Sequence, residues 1–106
     1  MKTLISSTGN EVSSRFDHRF GKANWYCIYD DQTGNTEFIE NPNPEKVHGA
    51  CRGTSKLAID LKVGKVISGH FGPNSEQHFT KKNIQMVLID DENITIGEII
   101  QKLKHI

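Results

Sequence analysis

Apolar positions in this chain come in short runs separated by long polar stretches, and the spacing inside each run identifies its element. Residues 3–6 form an apolar segment almost at the first residue, which predicts a central strand. Residues 25–30 alternate and are rich in aromatics, with Trp25, Cys27 and Tyr29 on one face and Tyr26 and Ile28 on the other. Residues 36–40 resume the extended pattern after Asp31-Gln32-Thr33-Gly34-Asn35, so the two segments read as a β-hairpin closed by a glycine-containing turn. Asn41-Pro42-Asn43-Pro44 ends it, because proline cannot donate to a ladder. From about Ala50 the period changes: Ala50, Leu57, Ala58 and Leu61 share one helical face, and Gly64 is placed to stop that helix in the left-handed conformation.

The second half alternates strand and helix. Residues 66–75 read V-I-S-G-H-F-G-P-N-S: a β-branched strand over 65–68 meets a bend punctuated by Gly69 and Gly72, and Pro73 offers a helix its first position. That helix runs to about residue 82 with Asn83 as its left-handed cap, and Phe79 is its only large apolar anchor. Residues 84–89 are an almost unbroken apolar run, as in a strand covered on both sides. Thr95-Ile96-Gly97-Glu98 has the form of a capping box, and Ile96, Ile99, Ile100 and Leu103 supply the stripe of a closing helix. Strands alternating with helices require parallel crossovers, while the hairpin adds at least one antiparallel strand. The pattern predicts a mixed-sheet α/β sandwich formed as a single domain over residues 1–106, with no internal repeat or linker.

Bulk properties narrow the function. A domain of 106 residues buries roughly 65% of its extended-chain surface and can fold alone. Lys plus Arg and Asp plus Glu number 13 each, so no overall field steers the chain toward nucleic acid or anionic lipid. No apolar stretch approaches the ~20 residues of a membrane span, and the N-terminus turns polar before a signal-peptide core develops, which predicts a cytoplasmic protein. Cys27 and Cys51 belong to no C-x-x-C pair and are expected to be reduced thiols, Cys27 as a packing residue between aromatics.

The chemistry-bearing residues cluster in three connections. The polar loop over residues 7–24 holds Arg15, His18, Arg19, Gly21 and Lys22, and loops of this length are uncommon without a function. His48 and Cys51 form an H-x-x-C at the start of the first helix, beside Arg52, and His70 lies in the turn after the 65–68 strand. Imidazole and thiolate suit soft or borderline metals, so His48, Cys51, His70 and His18 are candidate ligands; ordinary surface histidines and a small buried thiol are the competing reading. Gly69, Gly72, Pro73 and Asn74 serve a tight turn into a helix. Gly72 would also let the backbone approach a ligand, and amides near Asn74 and Ser75 suit an anion, as do Arg15, Arg19, Lys22 and Arg52. Gly-x-x-x-x-Gly-Lys-Ser/Thr, Gly-x-Gly-x-x-Gly and Gly-x-Ser-x-Gly elements are absent, which removes nucleotide-loop and hydrolase-elbow chemistry. Asp30-Asp31 and Asp90-Asp91 lack a well-placed third carboxylate for a metal-dependent nuclease.

Four segments in order, Asp17-His18-Arg19-Phe20-Gly21-Lys22-Ala23, Glu40-Asn41-Pro42, His48-Gly49-Ala50 and Gly72-Pro73-Asn74, resemble the dinitrogenase iron-molybdenum cofactor biosynthesis family of NifX- and NafY-like accessory proteins and their small stand-alone relatives. The resemblance implies a ribonuclease-H-like, three-layer α/β sandwich: a five-stranded mixed sheet with one antiparallel strand and helices on both faces. It does not imply ribonuclease activity, since residues 2–6 contain no carboxylate. Larger relatives bind or carry iron-sulfur and iron-molybdenum clusters, and a related small class holds a molybdenum-copper sulfide cluster. Carried over, Arg19, Phe20, Gly21, His48, Gly49, Gly72, Pro73 and Asn74 form the rim of a cluster site.

The expectation is therefore a non-catalytic carrier or assembly factor for an anionic metal-sulfur cluster, with a cluster donor or acceptor protein as partner and neither nucleic acid nor membrane. A metal-free protein-interaction or regulatory domain on the same fold is the alternative. An enzyme acting on a small anionic substrate ranks third, because no base-nucleophile pair can be assembled.

Overall fold

In the computed structural model, which describes residues 1–41 and 58–104, the alternating segments become strands: β1 (Lys2–Ser7), β2 (Trp25–Asp30) and β3 (Thr36–Glu40). They are followed by β4 (Lys65–Ser68), helix α1 (Pro73–Lys81), β5 (Gln85–Leu88) and helix α2 (Ile96–Lys104). The five strands lie in the order β3-β2-β1-β4-β5. β2 is antiparallel to both β1 and β3, whereas β1, β4 and β5 run parallel, so one strand opposes the other four. This is the ribonuclease-H-like arrangement that the resemblance implies, with the N-terminal strand at its centre.

Period-2 alternation divides the sheet residues between two cores. Leu4, Tyr26, Ile28 and Val66 join Phe20, Phe71, Ala58, Val63 and Phe79 on one face. Ile5, Cys27, Tyr29 and Ile67 join Phe16, Ile94, Ile96, Ile99 and Ile100 on the other. α1 therefore covers the first face through Phe79, which is fully buried, and α2 covers the second, giving three layers. Thr95 caps α2 as expected: Glu98 N–H donates to Thr95 Oγ1 (3.2 Å), and Thr95 N–H donates to Glu98 Oε1 (3.2 Å). Asn83 takes the left-handed conformation after α1 (φ 58°), with Ile84 N–H donating to Phe79 O (2.9 Å) in a Schellman closure. No helix among the described residues is long and apolar enough to cross a membrane.

Two local expectations are corrected. The first helix, whose beginning near Ala50 lies outside the described residues, is helical at 58–60 and ends at Lys62 (φ 58°) rather than Gly64. Val63 N–H donates to Ala58 O (3.3 Å) and Lys62 N–H to Ile59 O (3.0 Å), so burial of Val63 after the left-handed residue fixes the stop. Gly64 instead heads β4, its N–H donating to Lys2 O (2.9 Å). The apolar run at 84–89 is an edge strand, not one covered on both sides: Met86 and Val87 are half-buried and Leu88 is 66% exposed.

Candidate functional site

The carboxyl ends of β1 and β4 lie side by side, and the chemistry of the region begins with the buried hydroxyls there. Ser6 and Ser68 are fully buried, with their Oγ atoms 3.0 Å apart. Ser6 donates to the Asp17 carbonyl and Ser68 to the His18 carbonyl (3.3 Å), so two strand ends hold the backbone of the long loop. Gly69 N–H donates to the same His18 carbonyl (3.2 Å), and Arg19 pairs with His70 in a short parallel bridge. A Cβ on Gly69 would stand 2.3 Å from His18 Cβ and 2.9 Å from its Cα; here the missing side chain is what permits contact. The loop and the turn after β4 are thus one unit, although they are far apart in sequence.

The loop itself is ordered by buried polar groups. Asp17, 3% exposed, accepts from the Arg19 backbone N–H (2.9 Å), Nε (3.1 Å) and Nη2 (3.0 Å). The Asp17 hydrogen bonds, then its charge, raise the Arg19 pKa above its ordinary value, against a smaller lowering by desolvation. The guanidinium is held by its Nε/Nη2 side, and its Nη1 end has no partner among the described residues. Phe20 turns inward, its ring packed against Phe71 (5.0 Å between centroids) and edge-on to Phe79 (5.5 Å). Tyr26 Oη donates to the Phe20 carbonyl, and buried Asn41 donates through Nδ2 to Gly21 O (3.1 Å) and Ala23 O (2.7 Å).

Between the loop and the β4–α1 turn lies a cavity of about 460 Å³, lined by His18, Arg19, Phe20, Gly21, Lys22, His70 and Gly72. Of the residues singled out in the sequence, it gathers His18, Arg19, Phe20, Gly21, Lys22, His70 and Gly72. Pro73 opens α1 beside it, after Gly72 as N-cap, with Asn74 in the first turn; the Asn74 side chain is outside the described part. His48, Gly49, Ala50, Cys51 and Arg52 lie outside the described residues. Arg15 borders a second hollow with Thr8, Glu92 and Asn93, where Glu92 Oε1 stands 3.7 Å from His18 Nδ1. Among the described residues no three His, Cys, Asp or Glu side chains gather to hold a metal ion.

Cys27 belongs to the α2 side of the sheet, and burial pushes its thiol up to about 12, so it is a neutral packing group. Asp17, Asn41, Ser6 and Ser68 are the residues that sequence reasoning left without a role. Asp17 and Asn41 stand in two of the motif segments, which was the one available signal.

No curated protein matches the sequence. Solved structures share the fold. One is the apo form of the orange protein from Desulfovibrio gigas, with a TM-score of 0.87, 22% identity, and coverage of 96% of this chain and 85% of that one. Another is a Thermotoga protein described as a candidate NifB protein, with a TM-score of 0.83, 25% identity, and coverage of 98% and 87%. The family model for dinitrogenase iron-molybdenum cofactor proteins matches residues 1–105, and on that match, spanning the loop, the strand ends and the helix start just described, the chain belongs to this family.

Proposed function

We propose that the protein binds and hands on an anionic metal-sulfur cluster, of iron-molybdenum-cofactor or iron-sulfur type, without catalysing a reaction on it. The observation that carries this reading is one cavity that two imidazoles, His18 and His70, line together with two cations, Arg19 and Lys22, and with Phe20. Imidazole nitrogen is a suitable ligand for iron or copper, and the cations offset the negative charge of bridging sulfides. Arg19, anchored by Asp17, offers its Nη1 end as a fixed donor, so little conformational entropy is lost on contact. His48 and Cys51 complete the proposed ligand set, and Gly49, Pro73 and Asn74 the proposed rim. A few exchangeable ligands at an open rim suit a cargo that must leave again, to an acceptor protein.

The test is uptake under anaerobic conditions. The purified chain is offered ferrous iron with sulfide and molybdate, or tetrathiomolybdate with cuprous ion, then desalted and assayed for visible absorbance and metal per 11.9 kDa chain. Stoichiometric uptake that falls in His70→Ala and Lys22→Ala, with circular dichroism unchanged, is the expected result. Absence of uptake in every combination overturns the proposal.

A further inference from the structure

Arg15, singled out in the sequence, stands outside the cavity that the proposed function uses. It lines a separate hollow of about 430 Å³ that shares His18 and Arg19 with that cavity and adds Glu92 and Asn93 from the β5–α2 connection. Backbone bonds fix both sides of this hollow. Arg15 O accepts from Thr8 N–H (2.9 Å) and Thr8 Oγ1 (2.8 Å), Phe16 N–H donates to Ile94 O (2.8 Å), and Ile96 N–H donates to Ser14 O (3.0 Å). The Phe16 side chain is buried in the second core. None of these bonds uses the Arg15 guanidinium, which is exposed and has no ion-pair partner among the described residues. Arg19 adds the Nη1 end that Asp17 leaves free. Glu92, its Oε1 3.7 Å from His18 Nδ1, and Asp17 balance the two arginines, so the hollow gains little from a second negative charge on an occupant. Selection then falls to shape, and the planar fork of a guanidinium matches the two oxygens of a carboxylate.

We propose that this hollow is a carboxylate site, seated on the Arg15 guanidinium with the Arg19 Nη1 end as second donor, and that its occupation weakens the hold on the anionic cargo. The second half rests on the proposed function; the carboxylate site does not. His18 and Arg19 line both hollows, so an anion in one draws on the guanidinium that the other uses. Two anions competing for one donor couple negatively, and by linkage the cargo weakens the carboxylate to the same degree. An acidic side chain of an acceptor protein and a small free carboxylic acid present the same group. With either, the cargo loosens as the carboxylate arrives.

The test is titration of the full chain with sodium acetate, at an ionic strength held constant with sodium chloride, followed by NMR of the arginine Nε–Hε and backbone amide groups. Arg15 Nε, Arg19 Nε and the Asn93 amide are expected to shift together and saturate, with sodium sulfate binding no more tightly than acetate. Arg15→Ala keeps every backbone bond of the hollow and is expected to weaken acetate at least ~10-fold with circular dichroism unchanged. An acetylated triglutamate amide that binds more tightly than acetate assigns the site to an acidic partner, and equal or weaker binding assigns it to a free acid. With tetrathiomolybdate as the cargo probe, saturating acetate is expected to raise its dissociation constant at least ~5-fold in the parent and to leave it unchanged in Arg15→Ala. Absence of saturable shifts, equal acetate binding in Arg15→Ala, or tighter binding of sulfate overturns the carboxylate site. A tetrathiomolybdate affinity indifferent to acetate overturns the coupling. Tetrathiomolybdate that fails to bind while acetate binds refutes the proposed function, and the coupling with it, and leaves the carboxylate site standing.

Discussion

Replacing Gly69 by alanine tests whether the loop and the β4 turn are one unit. The position does not have a positive φ, so alanine is conformationally allowed, and on chain entropy alone it would stabilise by about 0.4–1 kcal/mol. The added carbon, however, would stand 2.3 Å from His18 Cβ and 2.9 Å from His18 Cα, against a comfortable carbon separation of about 3.5–4.0 Å. The loop must therefore retreat by about 1 Å, and its carbonyl at His18 loses the bonds from Gly69 N–H (3.2 Å) and Ser68 Oγ (3.3 Å). Overpacking of this kind costs about 1–3 kcal/mol, and the weakened bonds about 1 kcal/mol more. The net expectation is a loss of about 2 kcal/mol, read as a lower urea midpoint with unchanged slope and a melting temperature down by about 10 °C. Amide shifts of His18 and Arg19 should move together. Gly34→Ala is the control: it too is disfavoured, by its φ of 77°, but nothing lies within 4 Å, and the rim should be untouched. A Gly69→Ala protein as stable as the parent, with His18 shifts unmoved, would show that the close approach does not constrain the loop.

Asp17→Ala removes the acceptor of three Arg19 donors, and a loss of about 1–2 kcal/mol in chemical denaturation is expected, with faster exchange of the Arg19 backbone amide. Asn41→Ala should cost about 2–3 kcal/mol, since the carbonyls of Gly21 and Ala23 lose a buried donor; equal urea midpoints would contradict this. Because the folded Cys27 thiol is raised to about 12 from an ordinary value of about 8.5, stability from keeping it neutral is complete below pH ~8.5 and is lost as pH climbs toward about 12. The unfolding free energy, measured by denaturation from pH 8 to pH 11, should therefore decline more steeply in the parent than in Cys27→Ala, in which the titrating group is gone. Thr95→Ala should cost about 1 kcal/mol through loss of the α2 cap, measured by thermal unfolding.

What could be read from the sequence was what depends on local chemistry. Alternation placed Tyr26 and Cys27 on opposite faces, Asn83 suited a left-handed cap, and Thr95 with Glu98 announced a helix start, because each needs only near neighbours. Lys62 was missed because a left-handed lysine is favoured only once Val63 is drawn into the core. β5 was misjudged because its apolar run resembles that of a central strand, and position within a sheet is decided by strands elsewhere. At the site, His18, Arg19 and His70 were legible as chemical types. Asp17 was not legible as their anchor, since a carboxylate in a polar loop is ordinarily solvated and only the fold buries it.

The order in which the strands pair also bears on how the protein is made. β1, β2 and β3 form a meander from consecutive segments, a local topology that can assemble while the remainder of the chain is still being synthesised. The Ser68 hydroxyl that steadies His18, by contrast, arrives 50 residues later. The seat beneath the rim exists only once β4 has docked against β1. A nascent chain therefore has no formed rim between the 7–24 loop and the turn after β4 until translation has passed that turn.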